Sequence, residues 1–483
     1  MKYLFLETIY NSPHIETSAE IALDLNKEKN DIFFSWIGNN LPWSDWSLSI
    51  KKKILGASIE KKISLIESIL IKNNINLVGL QTKEDSELKK IKTWASNFSG
   101  NLSSLKRYSY KGENLGLGVC SSLISFLHQS SFDTKKYNKL IYKSLVASAI
   151  IFERSLELIK KTKPDCVVTF NSRFATSLPI VLAAKKEKTK VLRHERGSNF
   201  NKYEVFEEDI HNLSYRANNV KSYWKSEKNL KKKQIIAKKY FINRRKGIPL
   251  SWDLKKNHAL NQLPGYVPHV KKKIRIIFYT ASEDEHESTK YQLTNLIWQS
   301  QNTALKKLIK ALNLLKNFEL FIRVHPISDK RKSLDDHIKW KKYDNSKNIH
   351  VISHDSPVNS YELLDSAQLI VTYGGNIALE AVYWGKNVIT LRNAIYSKEK
   401  FIFEPKNFKD LSNYMKKLKF LRKPINKSKV IPFAYYFMVY GKKFKHFKCK
   451  SFDDCYYKQI PISHLNTGMR KIKKYKNIFQ KFI

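Results

Sequence analysis

Cysteine is scarce. Four widely spread residues cannot staple a chain of 483, so a disulfide scaffold is excluded. Glycine and proline are also few, at 15 and 13, which rules out a fibrous or low-complexity protein. No stretch approaches the roughly 18 consecutive apolar residues that a membrane-spanning helix requires; the longest runs, Ser144–Phe152 and Ile431–Gly441, stop well short. In the opening MKYLFLETIY, Glu7 stands where the apolar region of a secretion signal would continue, and no small-residue cleavage site follows. A cytoplasmic protein is expected. The hydrophobic fraction is 42%, too high for a disordered chain and sufficient for large cores. At about 100–200 residues per domain, the length suggests two or three domains.

Acidic residues are outnumbered. There are 43 Asp and Glu against 88 Lys and Arg, a net charge of +45. Such a charge favours polyanionic partners: nucleic acid, anionic headgroups or phosphorylated substrates. Coding bias explains it equally well, since Lys, Ile, Asn and Tyr are abundant together, as an AT-rich genome produces. The basic residues are spread along the chain in short runs, such as Lys51–Lys53, Lys231–Lys233 and Lys271–Lys273. A dedicated nucleic-acid domain concentrates them, and no zinc-finger, RNA-binding or basic-zipper motif is present. No specific nucleic-acid partner is therefore expected. Cys449 and Cys455, the one close pair, lack neighbours at zinc-ligand spacing, so no metal is assigned.

The pattern alternates between strand and helix. Apolar Lys2–Ile9 leads through the turn Asn11–His14 into a helical spacing over Ile15–Leu25, then into apolar Asp31–Ile37. This βαβ opening predicts a parallel sheet. A long helix over Lys139–Lys161 stops before Pro164; Asp165–Phe170 reads as a buried strand, followed by a helix at Ala175–Lys185 and a strand at Lys190–Leu192. Residues 221–272 are basic and poor in aliphatics, and read as a helix and linker. From Ile274 the alternation resumes, with strands at Ile274–Tyr279, Leu320–Val324, Ile349–Ile352, Leu369–Thr372 and Asn387–Leu391. The expected fold is α/β, with two Rossmann-like doubly wound domains facing a cleft. Residues 1–220 form the acceptor-side domain, 221–272 the linker and 273–405 the nucleotide-binding domain. Residues 406–483 form a basic, aromatic, helical tail.

Open α/β sheets bind ligands beyond the carboxyl ends of their strands. In the second half those positions carry Ser282 and Glu283 after the first strand, Arg323, His325 and Pro326 at the second, Ser356 after the third, and Tyr373, Gly374, Gly375 and Asn376 after the fourth. Two glycines let a phosphate approach the backbone, and the helix that follows presents unpaired N–H groups to an anion. Glu380, four residues into that helix, is placed to accept hydrogen bonds from a ribose diol. Arg323 and His325 are placed to hold the same phosphates, with a histidinium steadying a departing nucleotide. Taken singly, each feature reads as an ordinary turn or loop; their recurrence after successive strands is what points to a site.

Two segments, Phe318–Pro326 (FELFIRVHP) and Ser356–Leu391 (SPVNSYELLDSAQLIVTYGGNIALEAVYWGKNVITL), resemble bacterial capsule polysaccharide biosynthesis proteins, which are similar to GT-B glycosyltransferases. Phe278–His286 (FYTASEDEH) and Val191–Tyr203 (VLRHERGSNFNKY) fit the same family, and the likeness spans about residues 165–205 and 274–400. The resemblance implies two Rossmann-like domains, with a nucleotide-sugar held mainly by the second. It implies that His325–Pro326 lie near the donor phosphates and that Glu380, with Ala381 and Gly385, binds ribose. Gly374, Gly375 and Asn376 stand where relatives often carry Ser or Thr, a departure that leaves the donor's identity open. It implies an acceptor base from the first domain, for which His194, Glu195 and His14 are the candidates, the first two preferred. No cofactor or metal is implied, the nucleotide-sugar being the substrate.

The expected activity is glycosyl transfer in capsule or lipopolysaccharide synthesis, onto a lipid-linked or glycan acceptor. The basic, aromatic tail (Lys442–Lys448 and Lys471–Lys476) suits peripheral contact with the anionic inner membrane. Two alternatives share the fold: a polyol-phosphate transferase of teichoic-acid type, and a non-catalytic capsule assembly or export factor.

Overall fold

The computed structural model describes residues 1–462, apart from 46–48, 81–84, 128, 249, 251–261, 266, 269–272, 282–297, 316, 326–338, 346, 419–425 and 452–453. Among the described residues the chain divides into two compact units. Unit one takes Met1–Ile210 and residues 440–462; unit two takes the described residues between His211 and Val439.

Unit one is built on β1 (Lys2–Glu7), β2 (Asp31–Trp36), β3 (Asn76–Leu77), β4 (Cys166–Phe170), β5 (Lys190–Arg196) and β6 (Lys202–Phe206). Leu4, Phe5 and Leu6 are all buried, as is every residue of β4. Runs that are apolar on both faces belong at the centre of a parallel sheet, and these two strands pair there in parallel. The order is β6-β5-β4-β1-β2-β3, with only β6 antiparallel to its neighbour. The helix Asn138–Thr162 buries Ile141, Leu145, Ala149, Phe152, Leu156 and Ile159 at three- and four-residue steps and packs on the helix Leu178–Lys186. It ends where Lys163 turns left-handed and Pro164 cannot continue it.

Unit two carries β7 (Ile274–Tyr279), β8 (Phe318–Arg323), β9 (Ile349–Ile352), β10 (Leu369–Thr372) and β11 (Asn387–Thr390) in an all-parallel sheet ordered β11-β10-β7-β8-β9. The basic stretch read as a helix and linker does hold a helix, and that helix is integral to this unit. Its helix Leu230–Arg245 buries Tyr240 and Phe241 and packs on the helix Ile431–Val439. That second helix is one of the two longest apolar runs, and it is core. Among the described residues no helix is long and apolar enough to cross a membrane.

The tail read as helical is divided. Helices Phe408–Lys417 and Ile431–Val439 belong to unit two, but from Gly441 the chain forms strands. Gly441 has φ +94°, and a Cβ there would lie 2.8 Å from the Tyr203 carbonyl oxygen, so only glycine admits the close crossing. β12 (Lys442–Lys443) then pairs with β6 as the seventh strand of the first sheet. β13 (Phe447–Ser451), β14 (Asp454–Tyr457) and β15 (Ile460–Pro461) make a small antiparallel sheet in which Cys449 and Cys455 lie opposite each other and are disulfide-bonded. Alternation explains this: Phe447, Cys449, Cys455 and Tyr457 point inward at period two and join the unit-one core. The fully buried Glu20 secures the segment by accepting backbone N–H bonds from Lys445 (2.5 Å), His446 (2.9 Å) and Phe447 (3.0 Å).

Candidate active site

Each sheet has one place where the strand order reverses, and there neighbouring loops part to opposite faces and leave a crevice. In unit one it lies between β1 and β4, in unit two between β7 and β10. Tyr373, Gly374 and Gly375 follow β10 at the second of these places, His14 lies beyond β1 at the first, and Arg323, His325 and Ser356 stand at or beyond the ends of β8 and β9.

In unit two, registers align Thr372 with Tyr279, Tyr279 with Arg323, and Arg323 with Ile352. Four strands therefore end in one row, and the Gly374–Gly375 turn, Thr280, His325 and Ser353 all emerge from one edge. Arg323 is 1% exposed. Its Nε donates to Ser360 Oγ at 3.2 Å, Nη1 donates to the Ser353 carbonyl, and Nη2 has no hydrogen-bond partner among the described residues. Burial lowers its pKa to about 10, against the opposing pull of Tyr279 and Asp355. A buried guanidinium N–H left open at a strand end is suited to an anionic oxygen. His325 is exposed and its backbone N–H donates to Thr280 Oγ1 at 2.8 Å. Ser356, part-buried, closes a turn through its N–H to the Ser353 carbonyl at 3.2 Å.

Gly374 has φ +79°, which turns the chain sharply out of β10. Its N–H donates to Thr390 Oγ1 at 3.2 Å, and the Tyr396 hydroxyl donates to the Gly375 carbonyl at 3.0 Å. Asn376 is exposed and makes no side-chain cap on the helix Ile377–Tyr383. Tyr373 is buried, with the Arg392 guanidinium 5.6 Å above its ring. Glu380 is buried too. Its carboxylate accepts a bond from the Tyr361 hydroxyl and lies 3.5 Å from Arg244 Nε. Ser282, Glu283 and Pro326 lie outside the described residues.

In unit one, β5 is longer than the sequence pattern predicts, and HERG continues it rather than following it. Alternation then sends its side chains to opposite faces. His194 is enclosed: Nε2 lies 2.8 Å from Glu7 Oε1 and 3.3 Å from Ser18 Oγ, which itself donates to Glu7 at 2.6 Å. Glu195 turns the other way and is part-exposed. Asn171 Nδ2 donates to its Oε2 at 2.7 Å, the Arg196 backbone N–H to Oε1 at 3.0 Å, and His14 Nδ1 lies 3.7 Å from Oε1. His14 is the first residue of its helix, packed 4.3 Å from the Phe170 ring. Burial lowers its pKa to about 4; Glu195 opposes this, while His194, Arg196 and Lys62 reinforce it. A neutral imidazole beside a carboxylate follows at neutral pH.

Just after β4, Asn171 (φ +56°) and Ser172 (φ +101°) adopt backbone that L-residues avoid, and the buried Ser172 Oγ has no hydrogen-bond partner among the described residues. Strain of this kind gathers at functional sites. The structure thus brings His14 and Glu195 together and sets His194 behind them. It adds Glu7, Asn171, Tyr361 and Arg244, which no local signal marks. Elsewhere in unit two, burial pushes the Glu404 carboxyl up to about 7, against a bond from Ser397.

No family model matches this sequence, and no curated protein matches it. Solved structures that resemble it include a KpsC β-Kdo 2,4-transferase of Thermosulfurimonas dismutans, at 14% identity over 56% of this chain and 79% of that one, TM-score 0.37. Others are a UDP-GlcNAc 2-epimerase of Neisseria meningitidis bound to UDP-GlcNAc, at 14% over 91% and 94%, TM-score 0.26, and a glycosyltransferase of Rickettsia africae, at 12% over 90% and 93%, TM-score 0.27. Likenesses this slight do not identify the reaction of this chain.

Proposed function

We propose that the chain is a glycosyltransferase of surface polysaccharide synthesis, moving a sugar from a nucleotide-sugar to a hydroxyl of a lipid-linked or glycan acceptor. The observation that carries this is the buried Arg323, whose open Nη2 stands in the row of strand ends that also emits His325 and the Gly374–Gly375 turn. Unit two takes the donor. Arg323 and His325 hold the phosphate with the backbone amides after Gly374, while Tyr373, Asn376, Ser356 and Glu380 surround the nucleoside, Glu380 accepting the ribose diol once Arg244 yields. Unit one takes the acceptor. Glu195, oriented by Asn171, accepts the hydroxyl proton, with neutral His14 beside it. The acceptor oxygen bonds to the anomeric carbon as the bond from that carbon to the donor phosphate oxygen breaks. The electron pair leaves with the phosphate, where Arg323 and a protonated His325 offset its charge.

The test separates the two halves. In a thermal-shift screen with CMP, UDP, GDP and CDP, one nucleotide raises the melting temperature, and Arg323→Ala abolishes that rise. Glu195→Gln keeps the rise but loses transfer from the matching nucleotide-sugar by about 100-fold or more. Full turnover in both variants defeats the assignment, and no shift with any nucleotide defeats the donor site itself.

A further inference from the structure

The helix Leu230–Arg245 has two unlike faces. One turns into unit two, where Lys233, Ala237, Tyr240 and Phe241 are buried, with Phe241 stacked on Tyr383 at 3.8 Å and Tyr240 against Phe437. The other runs through Lys231, Ile235, Lys238, Ile242 and Lys246 at steps of three and four, and Ile235 on it is 60% exposed. Leu230, at the helix start, is 55% exposed, and Ile248, just beyond its end, 45%. From Lys228 to Trp252 the sequence has no Asp or Glu. Among the described residues Lys231, Lys238, Lys239 and Lys246 meet no carboxylate, unlike Lys232 and Arg245, which pair with Glu227 and Asp365. Exposed aliphatics beside lysines that meet no carboxylate have the chemistry of a surface that lies on anionic lipid.

We propose that this face docks on an anionic lipid surface, with the lysines against headgroups and Ile235 and Ile248 entering the acyl boundary. Complementary charge favours any polyanion; the apolar component selects the membrane. Single-stranded nucleic acid binds by stacking bases on exposed aromatics. Here the helix's own aromatics, Tyr240 and Phe241, are buried, and Trp224 is held under Lys233 Nζ, 4.2 Å from its ring. The tail segment Lys442–Lys448 fits a membrane less well, because Phe444 and Phe447 face the unit-one core. The inference is independent of the transfer reading.

The full chain is sedimented with vesicles of phosphatidylcholine alone and with phosphatidylglycerol added. Binding is expected only to the second. Lys231→Glu/Lys238→Glu/Lys239→Glu should weaken it by about a hundredfold, at about fivefold for each lysine near the leaflet. Ile235→Ser, which keeps the charge, should weaken it several-fold. Lys27→Glu/Lys90→Glu/Lys92→Glu, the same charge change on exposed positions of unit one, should leave it within about threefold. Equal loss in both triple variants reduces the effect to net charge and overturns the proposal. So does an Ile235→Ser protein that binds as before, or a chain that binds a single-stranded RNA oligonucleotide more tightly than the vesicles. All substituted positions are exposed, and melting curves matching the parent confirm intact folds.

Discussion

His14 opens a helix whose N-terminal amides disfavour a cation, and it lies buried among groups of both signs. Glu195 favours its protonation, while His194, Arg196 and Lys62 oppose it, and burial outweighs them all. Its pKa falls from an ordinary 6.5 to about 4. Between these values the unfolded chain takes up a proton that the folded chain refuses. Stability from this group is therefore complete above about pH 6.5 and is lost as pH falls toward about 4, by roughly 3 kcal/mol at about 1.4 kcal/mol per unit. His14→Gln should flatten that part of the curve. Urea midpoints measured across the window check it: a variant as acid-sensitive as the parent places the proton uptake elsewhere. Strand-end logic marks His14, Arg323 and the Gly374–Gly375 turn as candidates because a local pattern accompanies each; Glu195, marked with them, lies inside β5. The same logic missed Glu7, which meets His194 across 187 positions, and Arg244, which reaches Glu380 from the segment read as linker. Such partners share no spacing in the chain and become neighbours only when the sheets assemble.

Elements follow the apolar period closely where both faces are buried. β1, β4, β7 and β8 were legible for that reason, and the long helix ended at Pro164 as expected. β5 was read short because its last residues are charged, yet Phe170 pairs with His194 and Thr169 with Arg193, so the ladder continues through them. β8 shows how charge enters a core strand. Glu319 and Arg275, neighbours across β7 and β8, are both buried and bonded at 2.9 and 3.0 Å, with Arg275 also donating to Ser366 Oγ and the Pro268 carbonyl. Removing one partner leaves the other charge buried alone. Glu319→Gln should cost about 3–5 kcal/mol, while Arg275→Met/Glu319→Leu together should recover most of it. Chemical unfolding of the single and double variants decides: if the double variant is no more stable than the single one, the pair stabilises beyond its own compensation.

At the scale of the whole chain, the units are not consecutive halves. Unit one begins at Met1, is left at Ile210 and is completed only after Val439. A boundary drawn from composition cannot show this, because the returning segment is as basic as what precedes it and its strands are short. The return fills the unit-one core with Phe444, Phe447, Tyr457 and Ile462, each worth about 1.5–3 kcal/mol when fully buried, in a unit whose net stability is of order 5–15 kcal/mol. It also supplies the three amides that satisfy Glu20. A chain truncated after Val439 should therefore lose unit one. It leaves a buried carboxylate without donors and an edge strand, β6, without its partner. Unit two, whose described residues lie between His211 and Val439, retains all its described strands and core helices. Residues 211–439 produced alone should melt cooperatively, and mild proteolysis of the truncated chain should leave that segment while digesting residues 1–210. Survival of 1–210 under the same protease would show that the first sheet is stable without its last strand and the Glu20 clasp.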